Sequence, residues 1–447
     1  MRREVHLVPQ SRRVWRPKIV KEVNMIYFKA GSENTVLSSK DLESGINIAL
    51  EKLGARKKVL VVPPDCTRFH SRAGELTSYI YEYYKDRLKD ILPALGTHSP
   101  MTDYQINTMY KGVPQSLFRV HEWRKDVITA GTVPGEFISA ITQGALNYSW
   151  PAQLNRLVFS GGHDLILSVG QVVPHEVAGM ANYNKNLFVG TGGPEGINKS
   201  HFIGAVYGME HIMGKADNPV RSLLNYASAN FISHLPVVYI QTVIGRSKEG
   251  VLVVRGLFIG DDEEVFRLAA DLSLKVNFNV LDKPLKKVIV YLDPAEFKST
   301  WLGNKSIYRT RMAMADEGEL IVLAPGLREF GEDKEIDRLI RKYGYRGTPA
   351  TLNFLKNNEE LNDNLSAAAH LIHGSSEGRF SITYCPGYLT RKEIESVNFK
   401  YHDLKDMYRK FNPKSLKDGL NKMDDGEEIY FISNPALGLW STKQRLA

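Results

Sequence analysis

Short apolar runs alternate along the chain with segments whose apolar residues recur at helical spacing. Residues 59–64 (VLVVPP) predict a buried strand that feeds a loop at Pro-Pro-Asp. The spacing predicts a helix over 71–86, then a second strand over 91–95 ending in Gly96-Thr97-His98. A helix is expected to begin near Thr102-Asp103, where a capping residue precedes an apolar pattern. Further strands are predicted over 126–130 and 165–173, the latter long, apolar and ending at Pro174-His175. A glycine-rich stretch, 190–196, leads into a helix over 200–213. Two β-rich runs, 236–245 and 251–260, are joined by a polar turn containing Lys248-Glu249-Gly250 and read as a hairpin. Beyond Asp282 the pattern restarts: strand 287–292, helix 303–316, strand 320–324, helices over 333–343, 350–358 and 363–373, and a strand over 380–385.

Alternating strands and helices imply parallel sheets covered on both faces. The expected fold class is α/β, with two α/β domains and mainly parallel sheets. The expected division is a basic tail over 1–24, a first domain over 25–275, and a second α/β domain over 280–447 whose last residues pack back on the first. No internal repeat is visible. The 447 residues suit two or three domains. With 43% hydrophobic and 24% charged residues, the composition is that of an ordinary soluble globular protein. Two cysteines, Cys66 and Cys385, cannot make a disulfide framework, so a reducing compartment and a cytoplasmic location are expected. No apolar run reaches 18 residues and no secretory h-region is present, so no membrane partner is expected.

The net charge is +8, and the excess is gathered only in residues 1–24. That segment reads as a basic arm for nucleic acid, a disordered tail, or translation from a start upstream of Met25. The folded pattern begins at MIYF, which favours the last two, and a nucleic-acid partner is not expected. A mild basic surplus also suits an anionic substrate.

In an open α/β sheet, ligands bind beyond the carboxyl ends of strands. Three polar clusters fall there: Pro64-Asp65-Cys66-Thr67-Arg68, Gly96-Thr97-His98 and Pro174-His175. Loops carry polar residues for many reasons, so each cluster alone says little; together they can converge on one cleft. Residues 172–201 (VVPHEVAGMANYNKNLFVGTGGPEGINKSH) are denser, with His175, Lys185 and His201 at successive offsets of ten and sixteen residues. The bland reading is a surface loop followed by a helix start. Gly192-Gly193-Pro194 is neither GxGxxG nor a P-loop, so no dinucleotide or phosphate-loop site is read here.

The segment Val173-Pro174-His175-Glu176-Val177-Ala178-Gly179, followed by Lys185 and His201, resembles the signature of the nickel-pincer-dependent lactate racemase family. Asp65-x-Thr67-Arg68 resembles that family's DxTR motif, and Gly96-Thr97-His98 its GTH motif. Order and rough spacing agree from about residue 55 to 215. The resemblance implies two α/β domains with the active site in the cleft between them. It implies a nickel-pincer nucleotide, a pyridinium mononucleotide whose nickel is held by sulfur–carbon–sulfur ligation. By residue, it makes Lys185 the covalent carrier, His201 the nickel ligand, and His98 and His175 the acid/base pair. Asp65, Thr67 and Arg68 would lie near cofactor and substrate. Cofactor-biosynthesis enzymes are implied partners. The family's Ser-Gly-Gly before the lysine is replaced by Ala181-Asn182-Tyr183-Asn184. Its C-terminal Tyr-Gln-x-x-Lys is matched by Trp301-Leu302-Gly303-Asn304-Lys305, which makes Lys305 a second substrate-contacting cation; a solvated helix lysine is the alternative.

These residue types suit inversion of an α-hydroxy acid. The Cα–H beside a carboxylate is barely acidic, because its loss would place two negative charges together. A hydride route avoids this: a base takes the hydroxyl proton, hydride leaves Cα for the cofactor, and return to the other face inverts the centre. The base must be poised near neutral pH, as imidazole is. No side chain accepts hydride, so a cofactor is needed. Imidazole is a suitable ligand for nickel in a square-planar site. Arg68 can hold the carboxylate by a paired, charge-assisted contact.

The departures from the family point away from lactate and toward a sugar acid of the mannonate or gluconate type, which the divergent branch implies. Asn182, Asn184, His163 and Asp164 could meet extra hydroxyls, although His163-Asp164 reads more readily as structural. His370 and His373, at i and i+3 on an expected helix, could face the cleft. Two other readings stay open. His98, His163, His175 and His201 could bind zinc and activate water. Alternatively, the chain could be a cofactor-free relative that binds a sugar acid.

Overall fold

The computed structural model describes residues 25–247 and 249–446. The basic segment 1–24 and Lys248 of the expected turn lie outside the described residues.

Residues 26–260 build a six-stranded sheet around the run Val59–Val62, which is buried on both faces. Its partners Leu88–Ile91 and Leu165–Gln171 run parallel to it, and Val237–Arg246 continues the parallel set. Leu252–Gly260 and Ile26–Gly31 then complete the sheet antiparallel, the first of them as the expected hairpin partner of Val237–Arg246. Two apolar clusters cover the faces: Val59, Val61, Leu165, Leu167 and Val169 point to one, Leu60, Val62 and Ile166 to the other. A second six-stranded sheet lies in residues 285–432, with Leu285–Tyr291, Met314–Ala324, Ser381–Pro386 and Glu428–Ile432 as its parallel centre. The fold is therefore α/β with mainly parallel sheets.

Several elements differ from their sequence expectation. The second strand is Leu88–Ile91, earlier than expected, and beyond it the Leu92 and Ala94 N–H groups still donate to Val61 O and Pro63 O. Residues 126–130 fall in Val127–Val133, which leaves the main sheet and pairs antiparallel with Trp150–Asn155. The glycine-rich helix starts earlier, at Pro194, which suits a first helical position, and ends at Tyr207, where Gly208 takes φ +97. The helix expected over 303–316 is two short turns, Thr300–Gly303 and Lys305–Tyr308. From Met314 the chain is a strand instead, because the adjacent Leu285–Tyr291 strand offers it a parallel ladder. No described helix is long and apolar enough to cross a membrane.

The two halves share a packed seam. Phe202 and Ala205, on the Pro194–Tyr207 helix, belong to the apolar core of the second sheet. Glu210 accepts from Arg311 Nε at 2.7 Å, across the same seam. The C-terminal strand Leu439–Thr442 pairs in parallel with Phe278–Leu281.

Candidate active site

The three strand ends singled out above belong to adjacent strands of the first sheet. Asp65 caps the 3₁₀ segment Cys66–Ser71 through its Oδ1, which accepts from the backbone N–H and the hydroxyl of Thr67. Its Oδ2 lies 2.6 Å from His98 Nδ1. Burial pushes the Asp65 carboxyl up, but His98 and Thr67 more than offset this and hold it below its ordinary value. An ionised Asp65 fixes the His98 proton on Nδ1 and leaves Nε2 as a free base. The His98 side chain is 55% exposed, which sets it at the mouth of the site.

His175 has the opposite arrangement. Its Nδ1 accepts the Val177 backbone N–H at 3.1 Å, so the neutral ring carries its proton on Nε2. Burial, with the charges of Lys185, Arg68 and His201, lowers its pKa well below 6.5 against the pull of Glu176. Glu176 is the nearest carboxylate, 3.9 Å away. Burial raises Glu176, but His175 and Arg309 outweigh it and keep the carboxylate ionised.

Lys185 sits on the short helix Asn184–Phe188, which is anchored over the strand ends. Asn186 Nδ2 donates to Val62 O and to Ser168 Oγ, each at 3.0 Å. Gly96 N donates to Gly190 O, so the Gly96-Thr97-His98 turn is tied to the same loop. Burial first, then the charges of Arg68 and Arg221, bring the Lys185 amine down to about 8. Its Nζ makes no hydrogen bond to any described residue.

The residues that replace the glycines before Lys185 keep a glycine-like backbone. Asn182 and Tyr183 have φ +65 and +59. Their side chains turn away from Lys185. Tyr183 stacks on Phe266, with ring centroids 5.1 Å apart. Asn182 lies over Gly170, and Asn184 bonds Asn225 and Ser228. Arg221 ties the loop together from below, donating to Met180 O and to Asn184.

His201 donates Nδ1–H to Ile197 O at 2.7 Å, one helical turn back, which leaves Nε2 free as a ligand. Burial and the Lys185 charge bring its pKa to about 4, so the ring is neutral. The glycine-rich run before it is packed against its neighbours and forms no phosphate cradle. A Cβ on Gly192 would lie 2.0 Å from Phe188 O, and Trp150 Nε1 donates to Gly196 O at 2.8 Å.

The second half contributes Lys305, Tyr308, Arg309 and His373. Lys305 lies within electrostatic reach of Arg68, Glu176 and Arg309, and burial is the main cause of its lowered pKa. It therefore faces the cleft with Arg68. His370 and His373 part company. The His370 ring packs on Trp301, and its Nε2 bonds Tyr345 OH at 2.9 Å, a structural use. His373 is 5% exposed, and among the described residues its Nε2 has no partner.

The structure does not bring together all that the sequence suggested. His163 Nε2 lies 2.9 Å from Asp90, and Asp164 accepts from the Lys57 and Lys58 backbones, so neither lines the cleft. Among the described residues no group of three His, Cys, Asp or Glu could hold a metal ion, and the four-histidine zinc cluster is not assembled. Asn184 is likewise engaged elsewhere, with Asn225 and Ser228. Glu176, Tyr308 and Arg309 were not singled out from sequence. Glu176 adjoins His175 in the signature segment, and Arg309 follows Lys305 by four residues, a helical spacing that could have flagged it.

Residues 39–212 match the family described as the lactate racemase N-terminal domain. No curated protein matches the chain. Among solved structures, a protein from Thermotoga maritima is similar at 25% identity, with a TM-score of 0.76, over 93% of this chain and 100% of that one. The lactate racemase apoprotein from Thermoanaerobacterium thermosaccharolyticum is similar at 16% identity, with a TM-score of 0.65, over 92% of this chain and 91% of that one. Residues 39–212 are therefore similar to the lactate racemase N-terminal domain family, and the chain shares the fold of the lactate racemase apoprotein.

Proposed function

We propose that this protein is an isomerase that inverts C2 of an α-hydroxy acid, a sugar acid of the mannonate or gluconate type, with a nickel-pincer nucleotide held by Lys185 and His201. The observation that carries the reading is the state of those two donors. Lys185 has a depressed pKa and an amine free of hydrogen bonds, and His201 is neutral with Nε2 unengaged. An unprotonated amine is the form that bonds covalently, and a fixed-tautomer imidazole is the form that ligates metal. This donor set fits the group. When bound, the nucleotide supplies the hydride acceptor that side chains lack.

The chain's own residues supply the rest. Arg68 and Lys305 hold the substrate carboxylate by charge-assisted contacts. His98, with ionised Asp65 behind it, takes the hydroxyl proton at Nε2, as general base. His175 offers Nε2–H to the substrate oxygen. Glu176 and Tyr308 supply hydrogen bonds suited to further hydroxyls, which favours a polyhydroxylated acid over lactate.

The test is to express the full chain with cofactor-making enzymes and to record intact mass, nickel content and visible spectrum, with Lys185→Ala alongside. A mass gain with bound nickel, absent in the variant, is expected, followed by C2 inversion of gluconate or mannonate. An unmodified, nickel-free protein from a host shown to make the cofactor would overturn the reading.

A further inference from the structure

Behind the loop that carries Lys185, the first half holds a cavity of about 210 Å³ that the chemistry above does not use. It lies at the start of Val237–Arg246 and beside the end of the antiparallel Leu252–Gly260, at the end of the sheet opposite Asp65, His98 and His175. Tyr183 and Tyr239 line it, with ring centroids 4.4 Å apart. Both residues are buried, at 7% and 4% exposure, and among the described residues neither hydroxyl has a hydrogen-bond partner. A buried tyrosine ordinarily finds a partner for its O–H. Two that share one cavity and lack such a partner mark where the polar atoms of a ligand belong.

The charged groups decide the class of ligand. Asp261, Asp262 and Glu263 line the cavity, and no described Lys, Arg or His does. Asp261 accepts from Met25 N and Tyr27 OH, and Glu263 pairs with Arg267 and accepts from Asn225. Asp262 caps its helix through Oδ1, which accepts the Glu264 N–H, and among the described residues it has no cationic partner. Arg221 reaches both tyrosines electrostatically, but its guanidinium is turned to Met180 O, Asn184 and the Phe266 ring. A wall of carboxylates repels an anion, so the hydroxy acid of the cleft is not the ligand. Nor is a metal ion, since no described group of three carboxylates or other metal-binding side chains converges on one point. The volume is below the roughly 300–1,000 Å³ of drug-sized sites, which limits the ligand to a few heavy atoms. We infer that this cavity binds a small primary ammonium ion, whose N–H groups meet the two phenol oxygens and Asp262, and that its occupant restrains the Lys185 loop. The restraint follows from the lining: Tyr183 is two residues before Lys185, and Asn225 and Ser228, also at the wall, hold Asn184. The inference stands apart from the isomerase reading, since the ligand takes no part in the reaction.

The test is calorimetric binding of methylammonium, propylammonium and 1,4-diammoniobutane chlorides to the full chain at fixed ionic strength, with 1-propanol, glycerol and propionate as neutral and anionic probes. At least one ammonium ion is expected to bind about tenfold or more tightly than 1-propanol, the ratio for one charge-assisted contact. Asp262→Asn keeps a side chain that caps the helix and removes the charge, and should weaken that binding about tenfold. Should Asp262→Asn fail to fold, Tyr239→Phe decides, with an expected weakening of about threefold. Hydrogen exchange read by mass spectrometry checks the restraint: at ten times the dissociation constant, amides of residues 181–190 should exchange about tenfold more slowly, as expected when opening releases the ligand. No binding by any ammonium probe leaves the cavity to water and overturns the inference. Binding that Asp262→Asn leaves unchanged places the probe elsewhere and does the same. Equal or tighter binding of glycerol, 1-propanol or propionate overturns the ammonium assignment. Binding with unchanged exchange over 181–190 overturns the restraint on the loop.

Discussion

Lys185 shows how a fold changes one side chain. A surface lysine titrates near 10.4, whereas burial and two arginines bring this one to about 8. The unfolded chain therefore holds more protons between these values, and the penalty of burying the charge is complete below pH 8. It is relieved as pH rises through the unfolded value. Reaction of Lys185 with an amine-selective acylating reagent, read by peptide mass spectrometry against pH, should reach half its maximum near pH 8, with other lysines lagging. His373 titrates in the same sense at lower pH. Burial is the chief cause of its fall to about 3, so the unfolded state binds the extra proton between that value and 6.5. Stability from a neutral His373 is full above pH 6.5 and is lost progressively as pH falls toward 3. The melting temperature of His373→Gln should therefore fall less than that of the wild type between pH 6.5 and 4.

At the scale of the element, the loop before Lys185 is held by Arg221 from the helix Pro219–Phe231. The Arg221 guanidinium donates to Met180 O at 2.7 Å and stacks 4.3 Å from the Phe266 ring centroid. Asn182 and Tyr183 pay backbone strain of about 1 kcal/mol or more each for their left-handed conformations, so the loop keeps its shape only while it is tied. Arg221→Met removes the ties and leaves carbonyls unpaired, which should cost about 2–3 kcal/mol in denaturant unfolding. The same change removes a cation beside Lys185, so the pH at half-maximal acylation should rise above 8. An unchanged profile would mean that Arg221 stabilises the loop without tuning the lysine.

At the scale of the whole molecule, the site exists because two sheets share a seam. Arg311 is buried, and its carboxylate partner Glu210 belongs to the other half. Glu210→Gln leaves that cation without its charge partner. The pair is partly exposed on the Glu210 side, so the expected loss is about 2 kcal/mol, less than for a wholly buried pair. Thermal unfolding followed by calorimetry should show the lower midpoint.

The motifs at the strand ends were legible in the sequence because their geometry is local. An apolar strand exposes its next residues at its carboxyl end, and parallel neighbours bring several such ends together. Asp65, His98 and His175 could be singled out on that ground, Lys185 from the dense stretch 172–201 and its resemblance to a family signature, and the α/β class from the alternation of strand and helix. His163 and Asn182 could not be assigned from their positions, because a polar residue near a strand end can face a partner such as Asp90 or the sheet as easily as the cleft. The break of the helix expected over 303–316 was hidden for a similar reason: periodicity cannot see that a neighbouring strand will claim the chain from Met314. The sequence by itself determined the fold class, the motif residues and the surplus of basic charge. Only the tertiary structure decided which nitrogen of each histidine is free, how far Lys185 titrates from its usual range, and that Arg309 is buried beside Arg68. Those properties depend on burial and on neighbours that only the fold supplies, such as Asp65 beside His98 and Arg68 and Arg221 beside Lys185, and no apolar periodicity carries them.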